Sequence, residues 1–146
     1  MITINRTRVG SDLLDALARK GIRAMHLRRY PREIIWGSSL NPRGLYMSRS
    51  QSVCVWIPDR REDRWVLLFI AVWHVLLHEL AHYKDIGLLG NDHHWRRYSR
   101  HDRRPVELRA ENMVDAAIKR CPWQYASKEL MAIGMDIKAK TIIKED

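Results

Sequence analysis

The chain has 146 residues, 46% hydrophobic and 29% charged, with a formal net charge of +9. That length suits one domain, residues 1–146, around one sizeable core, and the composition is ordinary for a soluble globular protein. The two cysteines, Cys54 and Cys121, exclude a disulfide framework and lead us to expect reduced thiols in the cytoplasm, while the positive balance suits polyanions or acidic surfaces as well as a plain solvated surface.

Taken in order, Ile2 to Ile4 suggests a short edge strand, with no apolar signal-peptide core at the start. Ser11 is a candidate N-cap for a helix with Leu13, Leu14, Leu17 and Ala18 on one face, and Gly21 is expected to end it. Glu33 to Trp36 suggests a strand, and the turn residues from Gly37 to Gly44 suggest a loop. Leu45 to Met47 and Ser52 to Ile57 form a hairpin signal around the polar Ser48 to Gln51. A long helix, roughly 62 to 86, is expected next, stopped by Gly87 and Gly90. Its apolar run from Trp65 to Leu77 is interrupted by His74 and too short to span a bilayer, so it is expected to be a core helix. Asn91 to Arg104 is polar, rich in His and Arg, and suggests an exposed loop. Pro105 opens another helix, with Val106, Ala110, Met113, Val114, Ala117 and Ile118 at helical spacing, ended by Cys121-Pro122. Trp123 to Met131 suggests a short helix. Ile137 to Ile143 alternates like a strand.

Within the long helix, Val75 to His82 contains His78-Glu79-Leu80-Ala81-His82, an H-E-x-x-H motif. Two histidines four residues apart share a helical face and can reach one metal ion, most often zinc. Glu79 points about 100° around the helix, where it can act as a general base without being a ligand. With 7 histidines in the chain, a shuffled sequence would contain the motif only about 0.02 times. The bland alternative is a pair of core-edge histidines.

A catalytic zinc usually has three protein ligands and a water. Candidates for the third are Glu107, Glu111, His93, His94, His101 and Asp85, in the order Glu107, Glu111, then His93 or His94. The metzincin layout requires Gly and His where this chain has Asp85 and Leu88, so it is excluded. Glu107 and Glu111 lie four apart on one helix face, so one can ligate while the other accepts the N–H of a ligand imidazole. A rival register makes Glu111 the ligand with Asp115 behind it. The small Ala110 lets the two helices approach. His74, on the face of His78, is a candidate donor behind the ligands or a substrate-side group, with a histidine simply partnered within the helices as the favoured reading.

Gly44-x-Tyr46, Val53-Cys54-Val55, the H-E-x-x-H helix and Arg104-Pro105-x-Glu107-x-x-Ala110-Glu111 together resemble the minimal gluzincins, the ImmA/IrrE-like metallopeptidases and related small phage-encoded proteins. The resemblance spans roughly residues 44 to 118. It implies an α+β, zincin-like fold with a small hairpin or sheet packed on the H-E-x-x-H helix and a second, Glu-bearing helix. It also implies zinc as cofactor, His78, His82 and Glu107 as ligands, and Glu79 as the catalytic residue. Glu111 stands where that family carries Asn or Asp, and the basic segment between the two helices is longer. A looser resemblance to SprT-like proteases rests on the same motif and on Asp92-His93-His94-Trp95, with different spacing and no glycine.

The expected function is therefore a hydrolase, a zinc metalloprotease cutting a cytoplasmic protein or peptide, with Tyr98, His94 and His101 as candidate oxyanion donors. The substrate is expected to lie along the edge strand of the hairpin, for which Val53 to Ile57 is the candidate. Two alternatives stand beside it. One is a protein recruited to nucleic acid through residues 94–104, which interleave cations with aromatics. The other is an inactive, zinc-stabilised interaction module.

Overall fold

β-Branched and aromatic residues cluster in three short runs, while a fourth, Arg43–Met47, holds Tyr46 alone, and each becomes a strand in the computed structural model, which describes residues 1–58, 64–89 and 104–145, the side chains of 86–89, 104 and 141–145 excepted. They are β1 (Ile2–Asn5), β2 (Glu33–Ser38), β3 (Arg43–Met47) and β4 (Ser52–Ile57). The helices are α1 (Ser11–Ala24), α2 (Trp65–Leu89), α3 (Arg104–Arg120) and α4 (Ser127–Glu145), with a 3₁₀ turn at Trp123–Ala126. The fold is thus mixed α and β, with a small sheet and four helices among the described residues.

The sheet order is β1-β2-β4-β3. β1 pairs with β2 in parallel through α1, β2 pairs with β4 in parallel, and β3 returns antiparallel to β4 as the expected hairpin. β4 is therefore hydrogen-bonded on both sides and has no open edge. This corrects Val53 to Ile57 as the substrate strand: among the described residues the edges of the sheet are β1 and β3, and β3 is the edge strand of the hairpin.

Strand residues alternate between two faces. Ile34, Trp36, Val53, Val55 and Ile57 enter the core with Leu14, Leu17 and Ile22 of α1 and with Leu76, Leu77 and Leu80 of α2. α2 runs through this core, as the apolar run predicts. It is long and apolar enough to cross a membrane by length and composition, yet 56% of that window is buried inside the fold. The helix also continues through Gly87, where the sequence suggested a stop, and Gly90 lies outside the described residues.

Three further expectations fail, two of them for packing reasons. Gly21 does not end α1; the helix continues to Ala24, and a Cβ at Gly21 would sit 2.9 Å from Leu76 Cδ2 and Leu80 Cδ1. Glycine there is what lets α1 lie directly on α2. Gly10, not Ser11, is the N-cap, with no side-chain cap bond. Ile137 to Ile143 is no strand but part of α4, in which Leu130, Ile133 and Ile137 are buried at helical spacing.

Candidate metal centre

α2 and α3 lie side by side because each presents small or apolar residues to the other. On α3 these are Val106, Ala110, Val114 and Ala117, all fully buried. That packing brings the polar faces of the two helices together at one place. His78 Nε2 lies 3.0 Å from His82 Nε2 and 2.9 Å from Glu107 Oε2, and His82 Nε2 lies 3.2 Å from Glu107 Oε2. Three donor atoms thus form a triangle with sides of about 3 Å. A tetrahedral zinc with bonds of about 2.0–2.1 Å holds its ligand atoms about 3.3 Å apart, so the triangle fits such an ion within a few tenths of an ångström.

Glu111 lies elsewhere on the ring of His78. Its Oε1 accepts from His78 Nδ1–H at 2.6 Å. An ionised carboxylate only accepts, so this contact matches the Nδ1–H tautomer, the form of His78 whose Nε2 can act as a ligand. His74, one turn earlier, approaches the same carboxylate at 3.3–3.4 Å. His74 is thus partnered within the helices, as the sequence suggests, and its i, i+4 spacing from His78 places both imidazoles beside Glu111. Glu107 reaches the two Nε2 atoms and Glu111 reaches Nδ1, where His74, His78 and Glu111 form a second group able to hold a metal ion.

Burial tunes the groups in the site. It pushes the pKa of His82 down, against the pull of Glu107, and so favours the neutral imidazole, the form that can donate a lone pair. Burial likewise raises Glu79 to about 7, the charge of His78 opposing and that of Glu107 adding to the rise. Glu79 Oε1 lies 3.9 Å from His78 Nε2, and its Oε2 is buried with no hydrogen-bond partner among the described residues. A buried carboxylate oxygen without a partner is costly. Glu79 lies against β3, where a Cβ on Gly44 would come within 2.5 Å of Glu79 Cγ and 2.9 Å of Val75 Cγ1. Only glycine lets the open edge strand pass this close to the motif.

Asp85, another candidate ligand, is engaged elsewhere. Arg109 Nη2 and Nε donate to its Oδ2 at 2.9 and 3.1 Å, clamping α2 to α3 one turn beyond the triangle. His93, His94, Tyr98 and His101 lie outside the described residues, and Asp115 is exposed. No family model, curated protein or solved structure matches this chain.

Proposed function

We propose that this chain is a zinc-dependent peptidase of minimal, zincin-like architecture, with His78, His82 and Glu107 as metal ligands and Glu79 as general base. The observation that carries the reading is the convergence of three lone-pair donors from two helices, with a buried glutamate beside them. When bound, zinc supplies Lewis acidity, which lowers the pKa of a water toward about 7 and polarises a peptide carbonyl.

The chain's own groups do the rest. Glu111 holds the ring of His78 in the tautomer and orientation that ligation needs. Glu79, made more basic by burial, takes a proton from water and returns it to the leaving amine. The open edge of β3 offers backbone N–H and C=O groups to an extended peptide, and Gly44 keeps that edge against Glu79. The substrate class is a protein or peptide, and the two free cysteines favour the cytoplasm.

The test is digestion of a peptide library made from whole-cell protein by the zinc-loaded chain. New peptide termini are expected with the wild type and not with Glu79→Gln at equal zinc content. Termini formed equally by both proteins, or by neither, would contradict the proposal.

A further inference from the structure

The helices cover one face of the sheet. On the other, the register places Ile4, Ile35, Cys54 and Leu45 in one row across the four strands. Ile4, Ile35, Leu45 and Trp56 do not join the core, and Ile2, Leu45 and Met47 are 59%, 49% and 37% exposed. The next row holds Gly37, Trp56 and Arg43, with Arg6 following β1 and hydrogen-bonded through its N–H to Trp36 O. A Cβ on Gly37 would lie 2.6 Å from Trp56 Cδ1 and Nε1, so glycine lets the indole lie over the neighbouring strand. Arg43 Cζ sits 4.9 Å from the centre of that ring. One row therefore reads arginine, indole, arginine, with the outer two about 14 Å apart at three strand spacings.

The charge on this half of the chain is one-sided. Residues 1–58 carry three acids, Asp12, Asp15 and Glu33, against ten arginines and lysines. Asp12 and Asp15 are on α1. Among the described residues Glu33 is the acid of this face, and its Oε1 accepts from Ser52 Oγ at 2.6 Å. Neither Arg6 nor Arg43 is ion-paired among the described residues.

We propose that the outer face of the sheet binds single-stranded nucleic acid, with Trp56 as the stacking platform and Arg6 and Arg43 as phosphate contacts on either side of it. The occupant follows from the chemistry of the row. An acidic protein would be drawn by the arginines but has no use for an indole laid flat between them. A base has, because every base offers a π-face to an aromatic ring. The cation–π contact of Arg43 is weak at an exposed position, so the guanidinium can give way to a base and move to its phosphate. The apolar row alongside gives the sugars and bases a surface that excludes water. The site is independent of the metal centre, which lies on the helical side.

The experiment is fluorescence anisotropy of the full chain with a fluorescein-labelled oligothymidylate of about 20 nucleotides, beside an abasic strand of equal charge. The wild type is expected to bind the thymidylate about tenfold more tightly than the abasic strand. Trp56→Leu removes that preference. The double variant R6Q/R43Q weakens both strands and lowers the slope of log affinity against log salt by about 1.4, the share of two phosphate contacts. Melting temperatures close to wild type establish that the variants are folded, and R6Q/R43Q alters exposed side chains only. Equal affinity for both strands in the wild type, an unchanged preference in folded Trp56→Leu, or binding to phosphatidylserine vesicles without binding to the oligonucleotide overturns the proposal.

Discussion

α2 and α3 touch through two polar clusters one turn apart, and the contrast between them is instructive. In the first, Asp85 meets Arg109: an anion, a cation and two aligned hydrogen bonds. It is complete as it stands and needs nothing from outside. In the second, the described partners of Glu107 and Glu111 are the imidazoles of His74, His78 and His82. Three of these groups aim acceptor atoms at one point, and protons alone cannot satisfy all three sides of that triangle at once. A single cation can. The same helix pair thus carries one cluster that closes the structure and one whose His and Glu groups are of the kind that can hold a metal ion.

Four perturbations sharpen the contrast, taken in order of expected size. The largest concerns Glu79 in the metal-stripped protein. Its folded pKa of about 7 lies above the ordinary 4.5, so the folded state holds the proton more tightly than the unfolded chain. The stabilisation is present at or below pH 4.5 and is lost as pH rises through 7. Relative to Glu79→Gln, the stripped wild type is expected to lose about 3 kcal/mol of unfolding free energy between those limits, read from urea titrations at each pH. A constant difference across that range would show that Glu79 is not held in a low-dielectric site.

Second, Gly44→Ala forces a methyl group into Glu79 Cγ. Peptide hydrolysis is expected to fall about a hundredfold while bound zinc stays near wild type, because the base and the edge strand move and the ligands do not. Loss of zinc together with activity would place Gly44 among the supports of the ligands instead. Third, Glu111→Gln removes the charged partner of His78 Nδ1 and is expected to weaken zinc affinity by roughly ten- to a hundredfold in a chelator competition. Unchanged affinity would mean that the ring of His78 is oriented by packing alone. Fourth, Arg109→Ala strands the buried Asp85 and is expected to cost about 1.5 kcal/mol, less than for a fully buried pair because Arg109 is 38% exposed. Zinc affinity should stay within about twofold, since the clamp shares no side chain with the triangle.

The parts of the molecule that could be read from the sequence are those set by local spacing. His78, Glu79 and His82 share a helix, Glu107 and Glu111 share another, and the polar Ser48 to Gln51 lies between two β-prone runs. Each needs only the period of its own element. What the sequence hid depends on distant partners. The parallel pairing of β1, β2 and β4 joins strands separated by whole elements, so nothing local marks β4 as internal and β3 as the edge. Gly21 has the appearance of a helix stop until α2 is packed against it. Ile137 to Ile143 alternates in polarity, but α1 and α2 bury Ile133 and Ile137 one turn apart, and tertiary contact overrides the pattern. Asp85 was a fair ligand candidate until Arg109, 24 residues away, took it.

The central claim is that the triangle of His78, His82 and Glu107 holds zinc. Elemental analysis of protein purified without chelators, supplied with zinc and then desalted, tests it most directly. About one zinc per chain is expected for the wild type and for Glu79→Gln, and well under half that for Glu107→Ala. A wild type that retains no zinc, or a Glu107→Ala variant that retains as much as the wild type, would contradict the account.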